Sequence, residues 1–168
     1  MSRKFYRKLA VAAALLVTGA AAAVQQSKPA GEAGTFVVQR VIDGDTVVLV
    51  GGEPVRYIGV DTPELHHPHK PVQWYAREAK EFNRQLVEGK RVRLELDVQK
   101  RDHFNRLLAY VYLEDGTFVN AELLRQGYGQ LLTIPPDVQH VELFVRMQKE
   151  AREAGRGLWQ RWKNKNSL

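Results

Sequence analysis

Residues 42–64 read IDGDTVVLVGGEPVRYIGVDTPE. Asp43 and Asp45 flank Gly44 in a tight turn at the head of an apolar run. Gly51-Gly52 is a two-residue hairpin signal between Asp45–Val50 and Pro54–Val60. A hairpin returns the end of its second strand to the start of its first. Asp45 and Asp61, 16 positions apart, therefore converge at one edge of a sheet. Two carboxylates repel there unless a cation or a proton lies between them. Oxygen-only donors suit a hard cation such as calcium, which makes Asp45 and Asp61 the expected metal ligands. Glu64 lies just past Pro63, and Arg56 belongs to the return strand. Asp43 is expected in a turn or outer role, since Asp-Gly turns form without any metal.

Phe36–Ile42 upstream reads as a strand. Downstream, Val72–Glu88 reads as a helix, with Tyr75, Ala79, Phe82 and Leu86 on one face and Gly89 as its stop. Arg91–Val98 alternates strictly, placing Val92, Leu94, Leu96 and Val98 on one face. A charged loop, Lys100–Arg106, precedes a strand at Leu107–Leu113. Asp115-Gly116 turns this strand toward Thr117–Val119, and Asn120–Gln126 forms a short helix that Gly127 ends. A last helix spans Asp137–Ala154, striped by Val138, Val141, Phe144, Val145, Gln148 and Ala151. Leu158 and Trp159 are expected to fold back on the core. Strands, a helix, strands and two further helices indicate α+β. Five short strands with an interposed helix fit an OB-fold-like Greek-key barrel with three helices. The 168 residues suit one such domain.

The first eight residues, MSRKFYRK, are basic, and Leu9–Ala23 is uncharged and rich in Ala, Leu and Val. Basic end, apolar middle and small residues at the close are the order of a signal peptide, here residues 1–23. The alternative is an uncleaved anchor, but the apolar stretch falls short of the roughly 20 residues a spanning helix wants. Residues 24–34 have linker composition, 35–160 form the domain and 161–168 a polar tail. The net charge of +6 comes from 25 Lys+Arg against 19 Asp+Glu. Removing residues 1–23 takes away Arg3, Lys4, Arg7 and Lys8 and no acid, leaving 21 against 19, or +2. Overall basicity therefore says little about nucleic acid. The placement of Arg56, Lys70, Lys100, Arg101 and Arg106 around the proposed site says more. The absence of cysteine excludes disulfides and thiolate metal sites.

The D-G-D-T of 43–46, Arg56 five positions before D-T-P-E of 61–64, R-D-H-F-N-R at 101–106 and N-A-E-L-L-R-Q-G at 120–127 occur in this order. In that combination the chain resembles the staphylococcal (thermonuclease-like) nuclease family from about Thr35 to Trp159. The resemblance implies the same barrel. It implies a calcium ion held by Asp45, Asp61 and the main-chain carbonyl of Thr62. Glu64 is then the general base or the group that positions water. Arg56 and Arg106 are the phosphate clamps, since guanidinium forks match phosphate oxygens two at a time. The implied partners are DNA and RNA, cut with little sequence preference to leave 3′-phosphates. The N-terminal signal pattern adds the expectation of a secreted or periplasmic enzyme with no stable membrane association after signal cleavage, and a monomer is expected.

Plainer readings compete at each position. Glu64 suits a solvated loop, and Arg106 suits an ion pair with Asp102. His66, His67 and His69 lack a second ligand group at metal-site spacing, and Pro68 constrains their loop. Trp74 and Tyr75 read as helix and core residues. Family tyrosines that help hold the nucleotide are replaced by Phe104, Thr133 and Pro135, and the glycine before Arg106 by Asn105. Weaker substrate holding is expected, with Tyr128 as the nearest aromatic substitute. The rivals from another class are a noncatalytic OB-fold module and a single-strand binder. The latter needs exposed strand aromatics, for which Tyr110 and Tyr112 are the candidates.

Overall fold

The computed structural model describes residues 32–65 and 71–160. The signal segment, most of the linker, His66, His67, His69, Lys70 and the tail at 161–168 lie outside the described residues. In chain order the elements are β1 (Glu32–Asp43), β2 (Thr46–Leu49), β3 (Pro54–Tyr57), β4 (Val60–Asp61) and α1 (Ala76–Val87). There follow β5 (Arg91–Glu95), β6 (Leu107–Leu113), α2 (Val119–Arg125), β7 (Gln130–Leu131) and α3 (Val141–Ala154). One 3-10 turn, Gly157–Trp159, ends the series.

Five strands close a barrel in the order β1-β2-β3-β6-β5, and β4 pairs with β7 beside it. The β3–β6 pair is parallel and the other pairings are antiparallel. With three helices packed on it, this is the expected α+β OB-fold-like barrel. Barrel closure removes the free sheet edges that an open five-stranded sheet would expose. Val38, Val47, Leu49, Val55, Val92, Leu94 and Val111 fill the interior, and Leu123, Leu124 and Phe144 from the helices cap it. Each such side chain contributes on the order of 1.5–3 kcal/mol on burial. Asn120 ties α2 to the barrel: Oδ1 accepts from the Val111 N–H at 2.9 Å and Nδ2 donates to Ile58 O at 2.9 Å. It is a fully buried amide with both ends satisfied.

Several boundaries differ from expectation for identifiable reasons. β1 starts at Glu32, inside the stretch expected to be linker, because Glu32 and Gly34 pair with Glu95 and Leu94 of β5. The hairpin turn is longer than two residues: the Leu49 N–H donates to Glu53 O, leaving Val50, Gly51 and Gly52 in the loop. Both glycines have positive φ, 102° and 90°. α1 begins at Ala76, not Val72, since Tyr75 at its N-cap adopts φ 72°, a left-handed conformation no helix can contain. Its buried line is Ala76, Ala79, Asn83 and Val87. β5 ends at Glu95 and Val98 is exposed, so the expected apolar face stops at Leu96. α3 begins at Val141 because the residues before it are bonded to the end of β5. Asp137 accepts from the Gln99 N–H at 2.7 Å, and Gln139 Nε2 donates to Glu95 Oε1 at 2.7 Å. Phe144 and Ala151 are its buried residues, whereas Val138, ahead of the helix, and Val145 face solvent. Leu158 does return to the core surface, its N–H donating to Gly127 O at 2.8 Å. No helix among the described residues is long and apolar enough to cross a membrane.

Candidate active site

The turn after β1 and the short β4 strand meet at one end of the barrel. A polar cleft of about 100 Å³ there is lined by Asp43, Asp45, Thr46, Arg56, Asp61, Thr62, Glu64 and Arg106. The six residues expected from sequence are thus brought to one cleft, from the β1–β2 turn, β3, the β4 end and the loop before β6. Gly44 is required by close approach: a Cβ there would lie 2.8 Å from the Thr62 side chain. That contact seats Asp45 against Thr62.

Asp45 is buried and heavily bonded. Its Oδ2 accepts from the Thr62 N–H at 2.7 Å and the Thr62 hydroxyl at 2.8 Å, and its Oδ1 from the Thr46 hydroxyl at 3.0 Å. Arg56 lies between the two aspartates, with Nη2 3.2 Å from Asp45 Oδ2 and 3.1 Å from Asp61 Oδ1. Its Nη1 donates to the carbonyls of Tyr57 and Val60. One guanidinium therefore supplies the positive charge that the paired carboxylates need, and holds the β3–β4 corner as well. Burial pushes the Asp61 carboxyl above its ordinary pKa; Arg56 opposes this, while the charges of Asp45 and Glu64 push it further up. The three carboxylates are thus electrostatically coupled, which marks a place where added positive charge is favourable.

Glu64 is exposed at the cleft. Its main chain is clasped to Gln73: the Glu64 N–H donates to Gln73 Oε1 at 3.2 Å and the Gln73 N–H to Glu64 O at 3.1 Å. Arg106 donates from Nε to Asp102 Oδ2 at 2.7 Å, the ion pair weighed against a clamp role. Both hold together, since Arg106 pairs with Asp102 and lines the cleft. Burial raises the Asp102 carboxyl, but hydrogen bonds from the Arg106 side chain and main chain outweigh it and hold it below the ordinary range. Arg101 is spent elsewhere, on Glu53 at 2.7 Å and 3.2 Å and on Asn105 O, so it does not add free charge to the site.

The donor set suits a hard cation: two carboxylates, a threonine main chain and a third carboxylate nearby, all oxygen. Among the described residues no three Asp, Glu or His side chains enclose a metal position on their own. An ion here would rest on Asp45, Asp61 and the Thr62 carbonyl and take its remaining ligands from water or substrate.

A second, mainly apolar cleft of about 300 Å³ adjoins the first and shares Arg56 and Arg106 with it. Ile58, Leu108, Leu132 and Ile134 form much of its lining, with His103 and Asp137 at its margins. Thr133 and Pro135, where the sequence reading put the missing rings, are not among the lining residues; Leu132 and Ile134 are. Tyr128 is not a substitute for those rings. It stacks on Phe82 at 4.2 Å and on Tyr75 at 5.5 Å, joining α1 to the chain after α2.

The sequence matches the staphylococcal nuclease homologue family over residues 54–161. The chain belongs to that family. It is 40% identical over 130 residues to the thermonuclease of Staphylococcus intermedius, covering 76% of this chain and 77% of that one. It is 38% identical to the thermonuclease of Staphylococcus hyicus, covering 74% and 75%. It is 37% identical to endonuclease YncB of Bacillus subtilis, covering 73% and 60%.

Sequence reasoning overlooked three contributors. The Thr62 side chain holds Asp45, yet only its carbonyl was considered. Gln73 clasps Glu64 across nine positions, which nothing local signals. Asn83 is buried on α1 behind the acid turn. Its signal was present, as a polar residue four places from Ala79 and four from Val87 on an apolar stripe.

Proposed function

We propose that this chain is an exported, calcium-dependent nuclease that hydrolyses phosphodiester bonds in DNA and RNA with little sequence preference. The reading rests on one observation: Asp45, Asp61, Glu64, Arg56 and Arg106 line a single polar cleft. Family membership and the names of the relatives point the same way. Asp45 and Asp61, with the Thr62 carbonyl, would hold a calcium ion, which when bound would supply charge compensation at a phosphate oxygen. Glu64 orients the attacking water and takes its proton. Arg56 and Arg106 stabilise the charge that gathers on the equatorial oxygens. The water oxygen bonds to phosphorus as the P–O5′ bond breaks, the 5′-oxygen takes up a proton from solvent, Glu64 returns its proton to solvent, and a 3′-phosphate remains. The adjoining apolar cleft takes the sugar and base beside the scissile phosphate, and the protein acts as a monomer.

The single-strand binding alternative needs aromatic rings on open strands. Tyr110 is buried, with its hydroxyl donating to Asp97 Oδ2 at 2.8 Å. Tyr112 is sandwiched between Phe118, 4.4 Å away, and the Arg93 guanidinium, 4.3 Å away. Neither face is open to a base. The test is digestion of single- and double-stranded DNA and of RNA by purified protein, with chelator, calcium or zinc. Cleavage should vanish in chelator and return with calcium better than with zinc. Undiminished cleavage in chelator overturns the metal-dependent mechanism, and binding without cleavage under all conditions favours the noncatalytic module.

A further inference from the structure

Among the buried side chains of this barrel, one polar pair leads to the acid turn. Tyr57 of β3 and Asn83 of α1 are both buried, 1% and 0% exposed, and they are bonded to each other. The Tyr57 hydroxyl donates to Asn83 Oδ1 at 3.1 Å, and Asn83 Nδ2 donates to the main-chain carbonyl of Asp43 at 3.3 Å. That carbonyl fixes the amide's orientation, because the opposite flip would set an oxygen against an oxygen. Burial keeps the Tyr57 hydroxyl protonated and donating, and the nearby Asp45 charge adds to this against the opposing bond from Asn83.

The far end of this chain of bonds is what gives it meaning. It ends on Asp43, two positions before Asp45, in the turn that the acid cleft is built on. Tyr57 reaches the same turn a second time, its N–H donating to the Asp45 carbonyl at 2.9 Å. The carbonyls on the two sides of Gly44 are therefore both held from inside the barrel, one by Asn83 and one by the Tyr57 main chain. The Thr62 contact at Gly44 closes the turn from the cleft side. A buried tyrosine and asparagine are a poor choice for packing alone, since an apolar pair of the same shape leaves nothing to satisfy. What an apolar pair cannot do is orient the Asp43–Gly44 peptide.

We propose that Asn83, oriented by Tyr57, is a positioning residue that fixes the Asp43–Gly44–Asp45 turn and thereby sets the calcium affinity of the acid site. This rests on reading that site as a calcium-dependent nuclease centre. Removing groups that orient metal ligands without touching the metal lowers affinity by roughly 10–100-fold in comparable sites. A residue that only packs shifts folding stability and leaves affinity alone.

The test measures calcium binding to the full chain by titration calorimetry, and the thermal midpoint without calcium, for the parent, Tyr57→Phe and Tyr57→Phe/Asn83→Leu. The double variant removes the Tyr57–Asn83 bond from both ends and leaves only the Asp43 carbonyl without its donor, which limits its cost to the fold. Its calcium dissociation constant should rise roughly tenfold or more, with a calcium-free midpoint close to the parent's. Tyr57→Phe should give a smaller rise, and it decides the matter alone if the double variant does not fold. Folded variants that bind calcium as the parent does overturn the proposal while leaving the nuclease reading intact. A parent that binds no calcium overturns both.

Discussion

The two clefts at this end of the barrel share Arg56 and Arg106 and differ in almost everything else. In the acid cleft Asp45 accepts bonds from Thr46 and from two atoms of Thr62, and Arg56 makes four polar contacts. Most of its groups come from strands or from the tight turn that joins them. The apolar cleft is bounded on one side by residues 132–137 and on another by the 102–106 loop, and Leu132 and Ile134 are exposed there; Phe104 of that loop is exposed but is not among the lining residues. One region is preorganised for charge, as stabilisation of a developing charge requires, and the other offers adaptable apolar surface. If the proposed function holds, groups that act on the transition state and groups that grip the substrate are separable here, and substitutions in the two regions should leave different kinetic signatures.

The sharpest break between them should come at Glu64. On the proposed mechanism Glu64→Gln removes a charge that acts as the water attacks, so kcat should fall by about 3–4 kcal/mol of barrier, several hundred-fold, with KM little changed. Its side chain is exposed, so the thermal midpoint should stay near the parent's. If the variant turns over normally per folded molecule, the carboxylate is only a loop acid.

The next effect is on stability. Gly44→Ala forces a methyl to 2.8 Å from Thr62 in a buried corner. Overpacking of this kind costs about 1–3 kcal/mol. Denaturant unfolding should show that loss together with weakened calcium binding, because Thr62 must retreat from Asp45. A one-carbon change of the opposite sense in the apolar cleft, Leu132→Val, should move the midpoint far less, since Leu132 is already exposed. Equal costs at both sites would mean the acid cleft is no more tightly built than its neighbour.

The acid cleft was legible in the sequence because its parts are short-range. The hairpin register sets Arg56 opposite Thr46 and so beside Asp45, but the expected return strand breaks after Tyr57, and Asp61 arrives on β4, which pairs with β7. The barrel was legible for a similar reason, since β2, β3 and β6 are apolar or alternating runs with glycine turns between them. Where α1 and α3 begin was not, because tertiary bonds set both starts. Tyr75 takes a left-handed conformation, and the Asp137, Gln139 and His140 side chains are engaged at the end of β5. The apolar cleft has no counterpart in the sequence reading: Leu132 and Ile134 line it, and Thr133 and Pro135, at the positions matched to the family tyrosines, do not. A loop has no period to fix which side chains turn inward, so spacing alone could not decide it.

A smaller effect joins the two clefts through the Arg106–Asp102 pair, which borders both. The Asp102 pKa is lowered in the folded protein, so its contribution is present above the unfolded carboxylate range near pH 4 and is lost as pH falls through the lower folded value. Asp102→Asn should therefore cost about 1 kcal/mol at pH 7, a typical figure for a partly exposed pair. The difference from the parent should shrink toward zero in strong acid. A difference that is constant across that range would show that the side chain matters as a hydrogen-bond acceptor and not as a charge.

The smallest effect sharpens the comparison from the apolar side. Phe104 presents a ring without a hydroxyl, and Ile134 presents an aliphatic edge with no face on which a base can stack. Base–aromatic stacking is worth about 1–3 kcal/mol, and an exposed loop site should deliver the lower end of that range. Such a contact is made about equally in the ground and transition states, so it should appear in KM and not in kcat. Ile134→Tyr should then lower KM several-fold, and Phe104→Tyr should lower it less, through one added donor to a phosphate oxygen. Thr133→Tyr serves as the control, because its neighbours and not Thr133 line the cleft. If Thr133→Tyr lowers KM more than Ile134→Tyr does, the loop turns its other edge toward the nucleotide when substrate is bound. If kcat moves with KM in any of the three, substrate grip and chemistry are not separable at this end of the barrel.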